Sequence, residues 1–212
     1  MSSKLVNKII KVLIANNVVL NLGWGLVLPV FAIFILQDVA LNDIAKTAKI
    51  IGLAELFFAF TRIIFQIPIG RYLDKNHGEK DDFWFMIIGN FMQAFIPLGF
   101  IFSTLPWHIY ALQMLHGLAA AMAFPSWSAM FTRHIDKNKE GFEWSIQSTF
   151  ANLAVGLAAA VGGFGAAIFG PKFIFIFVSI FTFISGLLLI FIRNDISATD
   201  GKVIRIPIQV RR

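Results

Sequence analysis

Long apolar runs alternate with short charged ones along the whole of this chain. A helix needs roughly 20 mostly apolar residues to cross the hydrocarbon of a bilayer. Six runs reach that length, at 12–36, 48–70, 83–103, 107–132, 144–169 and 173–192. The connections between them are short, about 2 to 13 residues, and leave no room for a soluble domain. The fold class expected is therefore an all-α integral membrane protein with six transmembrane helices, a bundle over 1–193 and a cytoplasmic tail over 194–212. A count of five, merging or dropping the glycine-rich fifth run, is the alternative.

Composition supports the membrane reading. Of the 212 residues 58% are hydrophobic and 14% charged, with a mean hydropathy of +0.76, whereas a soluble domain carries about a quarter charged residues. With no cysteine in the chain, disulfides and thiolate chemistry are excluded. The net charge of +6 would suggest nucleic acid in a soluble protein, but here the positive-inside rule accounts for it and no nucleic acid is expected. The N-terminus, the 2–3 and 4–5 connections and the tail together hold fourteen Lys and Arg, against Lys46, Lys49 and Lys172 on the other side. That asymmetry places both termini in the cytoplasm of a multi-pass protein of the cell membrane. The basic N-terminus lacks a small-residue cleavage site before its apolar run, so it reads as an uncleaved first span.

The six runs also look like two sets of three. Runs 1 and 4 each carry a glycine and then a proline, Gly23–Pro29 and Gly117–Pro125. Matched interruptions of this kind point to two inverted three-helix repeats, the architecture of many transporters, although Gly and Pro are common in membrane helices generally. Runs 3 and 6, rich in Phe and Ile, suit lipid-facing helices. The alternating VIRIPIQV of the tail reads as a basic arm at the anionic leaflet or as a disordered end.

Polar residues inside the runs are the candidates for function, because an ionised group facing lipid costs roughly 2.5–3.5 kcal/mol on insertion scales. Glu55 and Arg62 in run 2 are seven residues apart, on one face and about 10 Å apart along the axis; Gln66 continues that stripe. They line a polar pathway, or each is neutralised by a neighbouring helix as a structural pair. Asn17, Asn21 and Trp24 form a stripe on run 1, able to bind a solute or to tie helices together. Gln113 and His116 lie one turn apart on run 4, where the histidine is a candidate proton carrier or a hydrogen-bonded interior residue. In run 5, Gly156, Gly162 and Gly163 lie in GLAAAVGGFGAA, a small-residue surface for close helix packing.

Three stretches carry a family resemblance. Gly70-Arg-Tyr-Leu-Asp74-Lys75, followed by Gly78, resembles the 2–3 signature of the major facilitator superfamily: a glycine, three residues, an aspartate and a basic residue. Gln113-Met-Leu-His116-Gly117-Leu-Ala-Ala-Ala121 with Pro125 resembles that family's fourth-span motif, and the glycine- and alanine-rich run 5 its fifth-span region. The chain thus resembles the amino-terminal six-helix half of such a transporter. The resemblance implies a secondary active transporter, or half of one, moving a small solute by alternating access without a cofactor. It also implies a cytoplasmic gate at Gly70, Arg71, Asp74, Lys75 and Gly78, and a second six-helix half or a homodimer to complete the cavity. Three departures bear on the kind of transport: Gly78 comes one residue late, Gln113 stands where drug antiporters carry arginine, and Ala158-Ala159 stands where they carry glycine–proline.

Two other readings compete. One is a non-transporting membrane subunit or a truncated transporter remnant. The other is a membrane phosphotransferase, with Asp74, Asp81 and Asp82 holding Mg²⁺; the aspartate–glycine and alanine–arginine pattern of such enzymes is absent. No serine-hydrolase or zinc-protease motif is present either.

Overall fold

A computed structural model describes residues 6–75 and 79–199. These residues form six long helices and a short seventh: α1 Lys8–Phe34, α2 Ile44–Lys75, α3 Glu79–Ile101, α4 Pro106–His134, α5 Glu140–Phe169, α6 Pro171–Ile190 and α7 Arg193–Thr199. A π-helical turn, Ile35–Val39, extends α1. Five helices are long and apolar enough to cross a membrane. The sixth, α4, matches them in length with 29 residues but is diluted by Gln113, His116, Gly117, Ser126 and a run of alanines. The weakest crossing by apolarity is thus the fourth, and the glycine-rich α5 stands as an unbroken 30-residue helix.

The helices outrun the apolar runs because arginine, leucine and lysine continue a helix readily once it has left hydrocarbon. Gly70 to Lys75, expected in a hairpin loop, instead forms the end of α2, and Glu79 already begins α3. Gly78 lies outside the described residues, as do 200–212 with the alternating end of the tail.

Helix packing follows one rule. α1 lies against α5 and α6, α4 against α2 and α3, and α3 against α6. Exchanging each helix with the one three places along maps this pattern onto itself. Three crossings is an odd number, so the second triplet enters the membrane from the opposite side and the repeat is inverted. Close contacts are made where side chains are missing. A Cβ at Gly117 would fall on the Phe58 carbonyl oxygen of α2, and one at Gly25 would come within 3.0 Å of the Val155 backbone of α5. Buried amides then pin the crossings: Asn16 Nδ2 donates to the Ser185 carbonyl at 2.8 Å, and Ser185 Oγ to Asn90 Oδ1 at 3.1 Å. With no water to satisfy them, these groups join α1, α6 and α3.

α2 and α5 sit at the edges. Only 17% and 22% of their apolar windows are buried inside the bundle, against 50% for α3. The Phe and Ile of α3 and α6 therefore divide between an inner face and an outer one. Phe175 and Val178 of α6 are buried, whereas Ile176, Ile180, Phe183 and Leu187 look outward.

One end of the bundle is cross-tied by polar groups. Arg133 pairs with the fully buried Asp82, and His134 with Glu79 at 3.0 Å. Asn7 caps α1 by accepting from Ile10 N–H, and its amide donates to the His134 carbonyl at 2.5 Å. Lys8 meets Asp195 at 2.6 Å, and Trp127 Nε1 donates to the Leu13 carbonyl. The Lys139 ammonium hydrogen-bonded to Asp136, in the α4–α5 turn, holds that carboxyl below its usual range. At the far end Lys172 meets Asp38 at 2.5 Å.

Candidate functional site

The polar residues of α1, α2 and α4 face one another across the bundle, where Gly117 seats α4 directly on the α2 backbone. Two cavities lie between them. The larger, about 350 Å³, is bordered by Asn17, Asn21, Arg62, Gln93, Phe124 and Trp127 among others. The smaller, about 240 Å³, is bordered by Glu55, Gln113, Phe31 and Phe100 among others. Trp24, Phe58 and His116 border both. The Trp24 and His116 rings are stacked at 3.9 Å with their planes nearly parallel, and Phe58 leans on the imidazole at 4.6 Å. Three rings from three helices thus form one partition between two chambers.

A hydrogen-bonded chain runs past that partition. Gln113 Nε2 donates to Glu55 Oε1 at 3.4 Å, and Gln113 Oε1 faces His116 Nδ1 at 3.2 Å. In sequence His116 has no acidic neighbour, yet in space a single amide links it to Glu55. Arg62 lies in the other chamber, its Nε donating to Gln66 Oε1 at 2.8 Å and its guanidinium 4.9 Å above the Phe124 ring. Glu55 and Arg62 therefore share a helix face but not a partner. On α1, Asn21 Nδ2 donates to Asn17 Oδ1 at 3.0 Å, and Gln147 of α5 reaches the same oxygen at 2.8 Å.

The fold brings together Asn17, Asn21, Trp24, Glu55, Arg62, Gln113 and His116, with Gln66 held against Arg62. It leaves Arg71, Asp74 and Lys75 exposed at the end of α2, away from the chambers. Gly70 of that turn faces Pro125 of α4 at the limit of contact. Along α5, a Cβ at Gly162 would come within 2.5 Å of the Leu26 carbonyl oxygen, Gly163 touches only the Pro29 ring, and Gly156 borders open space. Asp82, a candidate Mg²⁺ ligand, is turned to Arg133. Among the described residues no three His, Asp or Glu side chains gather as a metal site would require.

Sequence reasoning missed Asn16, Asn90, Gln93, Phe58, Phe124 and Trp127. Asn90 and Gln93 are one turn apart on α3, in the same phase that marks Gln113 and His116, and that spacing was the available signal. The aromatic residues gave none, since 24 Phe are spread along the chain.

Comparison with known proteins settles the family. The family model of the Major Facilitator Superfamily matches residues 13–206. The chain belongs to that superfamily. It is thus a multi-pass membrane protein of a transporter family, with the helical fold of a six-helix half. Relatives are more distant. Over 156 residues, 74% of this chain, it is 26% identical to an uncharacterized MFS-type transporter of Methanocaldococcus jannaschii. Over 166 residues, 76% of this chain, it is 27% identical to the quinolone resistance protein NorA of Staphylococcus aureus. The matched stretches cover 38% and 39% of those two proteins, so the chain spans about half the length of the relatives it matches.

Proposed function

We propose that the chain forms one wall of a secondary transporter that moves a small solute by alternating access. The observation that carries this reading is the pair of chambers divided by Trp24, His116 and Phe58. A solute pathway that is never open to both sides needs a removable barrier at its middle, and these rings come from three different helices. Rocking one helix against the others would part them. The opposite wall is supplied by a second six-helix unit, whether a second copy, another chain or a continuation of this one. A second copy would turn the internal pseudo-symmetry into a true two-fold.

In this reading both termini are cytoplasmic, and the last turn of α2 is the cytoplasmic gate. Arg71, Asp74 and Lys75 are exposed there, free of the hydrocarbon, where charges can exchange partners between one state and the next. The test is uptake by vesicles reconstituted with the purified chain, using a panel of anionic, cationic and neutral small solutes. Uptake above protein-free vesicles for at least one solute, reduced by Asp74→Asn, is the expected result. A panel in which no solute crosses faster than through lipid alone would exclude a second copy as the opposite wall.

A further inference from the structure

Among the described residues, the larger chamber is built around a cation with no counter-charge on its wall. Arg62 is the ionised side chain on its wall, and no carboxylate borders it. Neither α1 nor α4, the two helices facing α2 across the chamber, carries an Asp or Glu anywhere in its length. The acidic residues of α3 and α5 (Glu79, Asp81, Asp82, Glu140 and Glu143) lie in their first turns, with Asp82 paired to Arg133. On α2 itself, Glu55 is two turns from Arg62 and hydrogen-bonded to Gln113 on the far side of the aromatic partition. Among the described residues the guanidinium spends only Nε, on Gln66, and rests on the Phe124 ring. Its two terminal nitrogens, the pair that forms a fork, keep their hydrogens for something else.

We infer that this chamber binds an organic oxyanion, a carboxylate or its like, with an aromatic-sized apolar body. The inference rests on the transport reading for its purpose but on the chamber alone for its chemistry. An arginine fork accepts two oxygens of one carboxylate or phosphoryl group in parallel hydrogen bonds. Gln93 lines the same wall without a hydrogen-bond partner among the described residues, and adds a second donor. Trp24, Phe58, Phe124 and Trp127 supply flat apolar surface around these polar groups. A cationic solute would meet Arg62 with nothing to offset the repulsion. The same chemistry could come from a soluble anion or from an anionic lipid headgroup entering from the open side.

The test is binding of radiolabelled benzoate to the purified chain in phosphatidylcholine nanodiscs, beside benzylammonium and benzyl alcohol, which share its ring. Benzoate is expected to bind about tenfold or more tightly than either, the ratio a charge-assisted hydrogen bond supports. Arg62→Gln removes that preference, and Arg62→Lys, which keeps the charge but loses the fork, retains part of it. Unchanged helix content by circular dichroism shows that the variants are folded. Repeating the measurement with phosphatidylglycerol in the disc separates the two sources: displacement of benzoate assigns the site to a headgroup, and no displacement to a soluble anion. Equal binding of the three probes, binding of none, or a benzoate preference that survives Arg62→Gln overturns the assignment. Benzoate binding without uptake of any solute overturns transport by paired copies of this chain but not this site. Uptake of neutral or cationic solutes unchanged by Arg62→Gln does the reverse.

Discussion

His116 is the residue on which the two chambers and the hydrogen-bonded chain depend. Its ring stacks on Trp24, supports Phe58 and faces Gln113. Stacked aromatic pairs contribute about 0.5–1.5 kcal/mol beyond area burial. His116→Ala should therefore cost about 1 kcal/mol or more and open the partition, whereas His116→Phe should keep the packing and lose only the bond to Gln113. Thermal unfolding in detergent separates the two: a clear drop for alanine and little change for phenylalanine. Equal drops would mean that the imidazole matters for its hydrogen bond and not as a barrier. A second residue pair works by charge. Asp82 is fully buried and depends on Arg133, whose side chain is 37% exposed. Removing one partner of a buried ion pair costs about 3–5 kcal/mol, and the partial exposure of Arg133 favours the lower end. Arg133→Ala should destabilise by about 3 kcal/mol, and adding Asp82→Asn should recover part of it, because the stranded carboxylate is then gone. Denaturation of the single and double variants checks this; simple addition of their losses would show that the pair is not coupled. Much of the site was legible at this scale, because a polar residue in an apolar run announces itself: Glu55, Arg62, Gln113 and His116 all lie at the chambers. Their partners were not. Whether Arg62 meets a partner on a neighbouring helix depends on the rotation and depth of that helix, which spacing along one helix does not contain.

Among the helices, the close contacts are what the sequence half revealed. Six crossings, their order and the repeat could be seen from run length and from the Gly–Pro pairs on α1 and α4. What the pattern could not show is which glycines touch a neighbour. The run on α5 offers three similar candidates, and the structure ranks them. Gly162 lies against the Leu26 backbone of α1, Gly163 against the edge of Pro29, and Gly156 against nothing. A side chain at Gly162 must push two backbones apart, and neither can yield as a flexible side chain would. Gly162→Leu is expected to prevent α1 and α5 from packing, seen as loss of folded protein in detergent extracts. Gly163→Leu should be milder, and Gly156→Leu near neutral. A neutral Gly162→Leu would mean that α5 does not seat on α1 as described. The helix ends were the other blind spot. Apolarity stops where lipid stops, but a helix does not, so the end of α2 carries Arg71 to Lys75 beyond the predicted span.

At the level of the molecule, orientation is the property on which the proposed gate depends. The end that gathers Asn7, Lys8, Glu79, Asp82, Arg133, His134 and Asp195 is cross-linked by hydrogen bonds and ion pairs, and it carries most of the Lys and Arg. The opposite end is thinly charged, with Lys46, Lys49 and Lys172 as its cations. Lys and Arg near span ends resist transfer across the membrane, so the charged end should face the cytoplasm and bring the last turn of α2 with it. Since the chain has no cysteine, a single introduced thiol reports one position. Lys46→Cys should react with a membrane-impermeant maleimide in intact cells, and Lys80→Cys only after the membrane is opened. Both sites lie near the ends of helices in water rather than in the packed interior, where a thiol is a small change. Reaction of Lys80→Cys from outside would invert the bundle and place Arg71, Asp74 and Lys75 on the external face. The chambers and their partition would survive such an inversion, because they are made by helix packing alone. The cytoplasmic gate proposed above would not, since its side of the membrane is argued entirely from charge.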